Sequence, residues 1–290
     1  MYPARFDYHA PASLEEALEL LGRLGSEAKL LAGGASLIPL MKLRLAEPRH
    51  VVDLGRVTGL DRIALDDGRA RIGAMVRQSD LEASPLARRI AVLGDACAVI
   101  ADPLVRNVGT IGGNLAHGDP ANDQPAVMLA LEARLRVAGP RGVRELPIAE
   151  FHRDILQTAL EPDEILAEVL VPLPGPSTGT AYVKFERQVG DFAIAAAAAV
   201  VELRDGRADT VRVAFTNLAP TPVRAPSIES ALLRREPSDE AIAEAVRALG
   251  DEIDPWDDLR ASAAQKRTMA ERAAERALRR ARDRAGWRER

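Results

Sequence analysis

Two glycine-rich segments limit what this chain can fold into more than any other feature. The first runs Leu30-Leu31-Ala32-Gly33-Gly34-Ala35-Ser36-Leu37-Ile38-Pro39, the second Asn107-Val108-Gly109-Thr110-Ile111-Gly112-Gly113-Asn114. Each combines an apolar run, a Gly-Gly pair and a short polar residue, Ser36 or Asn114. Glycine admits positive φ and lets a ligand approach the main chain closely. Successive N–H groups in such a turn form a concave anion site. Two such turns suit two linked phosphates, so a dinucleotide is the natural guest. Gly113 in particular is expected to need positive φ and open space. Neither segment matches a Rossmann fingerprint or a P-loop, and the missing Gly-Lys-Ser/Thr disfavours phosphoryl transfer. Neither turn contains a lysine, so backbone N–H groups and a helix N-terminus are left to meet phosphate charge.

Around these turns the pattern is mixed. Ser13 with Glu16 three residues on marks a helix start. Lys29 to Ala32 and Arg49 to Leu54 read as strands, with Ser36 capping a short helix through Leu45. Ala87 to Ile100 reads as the clearest helix, Gln124 to Glu132 as another, and Arg134 to Ala138 and Ile165 to Val171 as strands. Leu173 to Thr180, dense in Pro and Gly, reads as a linker. Beyond it, strands at Tyr182 to Arg187, Ala193 to Leu203 and Thr210 to Leu218 precede helices at Ser227 to Leu233 and Ser238 to Leu249, both begun on serine caps. The fold class is therefore α+β: a two-lobed unit over 1–173, with lobes near 1–55 and 56–173, then a smaller α+β unit over 180–290. The basic C-terminal stretch places Ala270, Ala274, Ala277, Leu278 and Ala281 on one helical face, too thin for firm membrane binding; it is expected to pack lightly on its own unit or a partner.

Other chemistry is excluded by what the chain lacks. Its 47% hydrophobic content belongs to an ordinary globular protein, and a net charge of −4 gives no basic footprint for nucleic acid. Its single cysteine, Cys97, makes an internal disulfide impossible and falls short of an iron–sulfur ligand set; it reads as core. His9, His50, His117 and His152 are scattered without metal-ligand spacing, and only His117, just after the second turn, is a candidate to line a site. No nucleophile elbow or acid–base set is apparent, so no catalytic or metal residue is assigned and a bound cofactor is expected to carry the chemistry. The N-terminus lacks a signal-peptide core and no segment is long enough to span a bilayer, so the expected compartment is the cytoplasm.

Ala32 to Pro39 followed by Met41-Lys42-Leu43-Arg44 resembles the first FAD motif of the molybdenum hydroxylase flavin subunits, and Thr110 to Asn114 the second. The family is the FAD-binding medium subunit of carbon monoxide dehydrogenase, similar to the flavin domain of xanthine dehydrogenase. The resemblance continues through Asp119 to Asp123, Glu164-Ile165-Leu166 and Tyr182-Val183-Lys184-Phe185 to Asp191. It implies a two-lobed, PCMH-type FAD-binding fold and non-covalent FAD. The residues Leu30, Leu31, Ala32, Gly33, Gly34, Ala35, Ser36 and Leu37 would wrap the pyrophosphate from one side. Thr110, Ile111, Gly112, Gly113 and Asn114 would do so from the other, with Thr110 and Asn114 adding side-chain hydrogen bonds. Ile100 and Leu166 match apolar positions against the cofactor, Asp123 an acceptor for its hydroxyls, and Lys184 a cation favouring reduced, anionic flavin. Ala35 stands where relatives often have a polar residue. The resemblance also implies a large molybdopterin subunit and a small [2Fe–2S] subunit as partners, in a dimer of heterotrimers, with electrons relayed through FAD to an external acceptor. A stand-alone flavin oxidase or reductase and a non-enzymatic nucleotide-binding subunit are the alternatives.

Overall fold

The computed structural model describes residues 2–288, so Met1, Glu289 and Arg290 at the ends of the expected ranges lie outside it. The chain starts with a parallel three-stranded sheet in which His50–Asp53 lies between Asp7–His9 and Ala28–Leu31. Helix Leu14–Leu24 links the two outer strands and buries Ala17, Leu20 and Leu21 in one core with Val52 and Leu54. Its start is the expected one: the Ser13 hydroxyl accepts from the Glu16 N–H at 3.2 Å. The Glu16 carboxylate reaches back to the N–H of Ala12 at 2.8 Å, so the first turn leaves few orphan donors.

Next comes an antiparallel five-stranded sheet, ordered Ile63–Asp66, Arg69–Gly73, Ile165–Pro172, Arg134–Gly139, Gly142–Pro147. The central strand therefore arrives last in sequence. Short helices cover this sheet. The continuous helix expected over Ala87 to Ile100 is instead two, Pro85–Arg89 and Ala91–Val99, broken at the buried Ile90. A tertiary contact explains the break: the Val92 N–H, an orphan of the second helix start, donates to the Thr180 hydroxyl at 3.0 Å.

The third sheet, Thr178–Phe185, Ala195–Arg204, Arg207–Thr216 and Val223–Arg224, is antiparallel and buried on both faces. Period-two alternation separates its contacts. Tyr182, Ala196, Ala198, Val200 and Ala214 join the core of the preceding half, while Ala181, Val183, Ala195, Ala197, Ala199 and Val201 face the opposite way. Against that second face lies helix Ala263–Arg284, opened by a full capping box between Ser262 and Gln265. Ala270, Ala273, Ala274, Ala277 and Ala281 are fully buried there.

This helix corrects the expectation of light packing. Its alanine stripe brings backbone to backbone: a Cβ at Gly179 would collide with the Ala281 carbonyl. Gly179 is thus a contact glycine inside a strand, not part of the linker, which shortens to 173–177. Ser238 caps helix Asp239–Val246 as expected, its hydroxyl accepting from Ala241 at 3.2 Å. Ser227 does not cap its helix. Pro226 occupies the first turn of Pro226–Leu232, and the Ser227 N–H goes to Glu252 at 2.9 Å.

Candidate functional site

The two glycine turns meet. A Cβ at Gly33 would strike the Val108 carbonyl and lie 2.8 Å from the Gly109 Cα, and one at Gly113 would stand 3.5 Å from the Ala32 Cβ. Glycine is required at Gly33 because another backbone occupies the side-chain space. The same reason holds at Gly112, where Ala74 fills it. Gly34 alone of these glycines has positive φ, at 76°. The expectation of positive φ at Gly113 is therefore corrected: it lies within helix Ile111–His117, where φ is negative.

The two turns differ in their free main-chain donors. In the first, the N–H groups of Gly33, Gly34, Ala35, Ser36 and Leu37 donate to no backbone carbonyl among the described residues. Ser36 does not cap the following helix Leu37–Lys42, so its hydroxyl also stays available. Five successive main-chain donors at a partly exposed turn form the concavity that binds anions. In the second, Ile111 donates to Val76 at 2.9 Å, Gly112 to Ala74 at 2.8 Å and Asn114 to Thr110 at 3.0 Å. The Thr110 hydroxyl accepts from the Gly113 N–H at 3.1 Å as a helix cap, which leaves its own proton free to donate. Asn114 Oδ1 is buried without a partner among the described residues, an orphaned acceptor in the second turn. An open donor row on one turn and an unsatisfied amide on the other fit a phosphate-bearing, hydroxyl-bearing ligand such as FAD.

Asn122 donates to the Asn114 carbonyl of the second turn at 2.8 Å, and a buried ionic cluster begins at the next residue, Asp123. Lys184 donates to the Val99 carbonyl at 2.9 Å and to Asp123 at 3.1 Å, with Glu186 at 3.4 Å. Only 2% of the Lys184 side chain and 6% of that of Asp123 are exposed. Asp123 begins helix Asp123–Ala130 without capping it; Asn122 holds the cap position. Its second oxygen accepts from the Tyr182 hydroxyl at 2.6 Å. Burial pushes the Asp123 carboxyl above its usual range, although Lys184 and Tyr182 both pull it down. Burial, then the Asp123 charge, raises the Tyr182 phenol well above its ordinary value. Lys184 is thus no free charge: two carboxylates surround it.

Sequence reasoning missed Tyr182 and Glu186 in this cluster. The available signal was the spacing of Thr180, Tyr182 and Lys184, which share one face of a strand. All three bind the preceding half, at Val92, Asp123 and Val99. Ile100 and Leu166 are buried, and Ile111 is fully enclosed in the main core and offers no side-chain surface. Leu30, Leu31, Ala32 and Leu37 are half-buried around the first turn and Ala35 is exposed. Cys97 is core, its thiol pushed up to about 12 chiefly by burial. His117 ends its helix, roughly 9 Å along the axis from Ile111 at the usual rise, away from the turns. No group of three or more metal-ligating side chains occurs among the described residues, and none of their helices is long and apolar enough to cross a membrane.

Comparison with known proteins places this fold and site in the class of flavin-binding subunits of oxidoreductases. Residues 4–174 match the family described as the FAD binding domain in molybdopterin dehydrogenase, and residues 180–281 the CO dehydrogenase flavoprotein C-terminal domain. The carbon monoxide dehydrogenase medium chain of Hydrogenophaga pseudoflava is 44% identical, over 96% of this chain and 97% of that one. The medium chain from Afipia carboxidovorans is 41% identical over 98% and 99%. A solved structure of carbon monoxide dehydrogenase from Hydrogenophaga pseudoflava superposes with a TM-score of 0.95 at 45% identity, covering 98% of this chain and 99% of that chain. The chain belongs to the FAD-binding medium-subunit family of the molybdenum hydroxylases, and FAD is its cofactor.

Proposed function

We propose that this chain relays electrons from iron–sulfur clusters in a small partner subunit to an external acceptor, while a large molybdopterin subunit oxidises the substrate. The observation that carries the reading is the open donor row from Gly33 to Leu37 against the second turn, in a chain whose relatives are carbon monoxide dehydrogenase medium chains. The row would bind the pyrophosphate and Asn114 would accept from the ligand. Asp123, fixed by Tyr182 and Lys184, would keep any remaining lone pair for a cofactor hydroxyl. Leu166 and Ile100 would keep water from the ring. When bound, FAD supplies the redox chemistry, taking two electrons and passing them to a quinone, NAD, oxygen or another acceptor. The chain divides functionally near 174–180, and the assembly is a cytoplasmic dimer of heterotrimers. Substrate choice would rest with the large subunit.

The test is expression of the full chain alone and purification of the complex from its host. Alone, it should bind FAD non-covalently and reduce artificial acceptors slowly, yet leave carbon monoxide, aldehydes and purines unoxidised. From the host it should come with a cysteine-rich small chain and a large one. Enzymatic turnover of such a substrate by the isolated chain would replace the relay with a stand-alone flavoenzyme.

A further inference from the structure

The second turn has little donor capacity left for a phosphate. The N–H groups of Gly112, Gly113 and Asn114 are all bonded within the protein, and only that of Thr110 lacks an acceptor. Of the main-chain and hydroxyl donors on this side, a pyrophosphate lying between the turns would find only those of Thr110, which leaves room for a cation. Two nearby cations are already engaged. Arg106 donates to the carbonyls of Ile100 and Ala101 at 3.1 Å and pairs with Glu82 at 3.4 Å. Lys184 is enclosed by Asp123 and Glu186.

Arg77 is different. It pairs with Thr110 in an isolated antiparallel bridge, flanked by Gln78 N–H to Gly109 at 2.9 Å and Ile111 N–H to Val76 at 2.9 Å. That pattern makes Arg77 and Thr110 a narrow, non-hydrogen-bonded pair, whose side chains stand close together on one face. On that face the Thr110 hydroxyl holds Gly113, and Gly113 abuts Ala32 of the first turn. Arg77 thus leaves the backbone on the side where the turns meet. It is exposed, and no carboxylate among the described residues lies within ion-pair distance of it, unlike Arg71 and Arg106.

We infer that Arg77 binds the cofactor's pyrophosphate, supplying the positive charge that the lysine-free turns lack. A planar guanidinium matches phosphate oxygens in two-point geometry. The inference rests on the reading of the turns as the FAD site.

The test uses the full-length chain, titrated with FAD and separately with ADP, at low and high salt. Arg77→Gln should weaken both ligands about tenfold or more at low salt and flatten the salt dependence of binding. Arg77→Lys should restore part of the loss by keeping the charge. The melting temperature should not move, because the side chain is exposed and contacts no carboxylate. Unchanged FAD affinity in Arg77→Gln overturns the assignment, and so does a loss that salt does not modulate and lysine does not rescue. A wild-type chain that binds neither FAD nor ADP overturns the FAD reading itself, and this assignment with it.

Discussion

At the scale of single residues, the buried Lys184–Asp123 pair makes the sharpest claim. Removing one partner of a buried ion pair strands the other, at a cost of about 3–5 kcal/mol. Lys184→Met should therefore lower the urea midpoint strongly, and Lys184→Met with Asp123→Asn should recover much of the loss, since Asn can still accept from Tyr182. If Asp123 touches the cofactor, FAD affinity stays weakened in the double variant. A Lys184→Met protein of wild-type stability would mean that the pair is not buried. His152 makes a second claim. Its Nε2 meets the Leu115 carbonyl at 3.1 Å, Nδ1 is unpartnered, and burial lowers its pKa. A native value below the unfolded 6.5 means that the unfolded chain binds more protons between the two. His152 should thus cost stability progressively as pH falls below about 6.5. His152→Asn should flatten that slope in urea midpoints measured from about pH 7.5 to 5; an unchanged slope would assign the acid sensitivity to other groups.

At the scale of elements, contact glycines and alanines decide the packing. Gly179→Ala drives a methyl into the Ala281 carbonyl and should cost about 1–3 kcal/mol by overpacking. Gly175→Ala, in the linker with nothing closer than 3.8 Å, should stay within about 0.5 kcal/mol. Thermal unfolding of the two compares them directly, and equal shifts would mean that helix Ala263–Arg284 does not seat on the sheet. These elements also show what a sequence reveals. Helix starts at Ser13 and Ser238 were legible because the cap and its partner lie three residues apart. The two turns were legible because glycine clustering is local. The Asp123–Lys184 pair, 61 residues apart, and the break at Ile90, served by Thr180, were not, because their partners are set by tertiary contacts. The glycine at 113 was seen, but its reason was misread. It sits in a helix where an added Cβ would stand 2.9 Å from the Thr110 hydroxyl, so space and not φ is the constraint.

At the scale of the whole molecule, the second and third sheets share one core, the first sheet joins them at Ile165, and two distant turns and one strand converge. The strand Thr178–Phe185 stitches the C-terminal half to the first by Thr180, Tyr182 and Lys184, and Arg284 adds a clasp on Asp95 at 2.6 Å. Cofactor binding should therefore stabilise both halves together, as a ligand of the native state does. FAD should raise a single cooperative melting transition, and a rise confined to one of two separate transitions would contradict the shared core. The central claim is that the touching turns hold FAD without a covalent bond. It is tested most directly by acid release of flavin from the purified full-length wild type, Gly33→Val and Ala35→Ser. The wild type and Ala35→Ser should each release one equivalent of FAD into the supernatant, and folded Gly33→Val almost none. Flavin retained in the wild-type precipitate, or equal FAD in folded Gly33→Val, would contradict it.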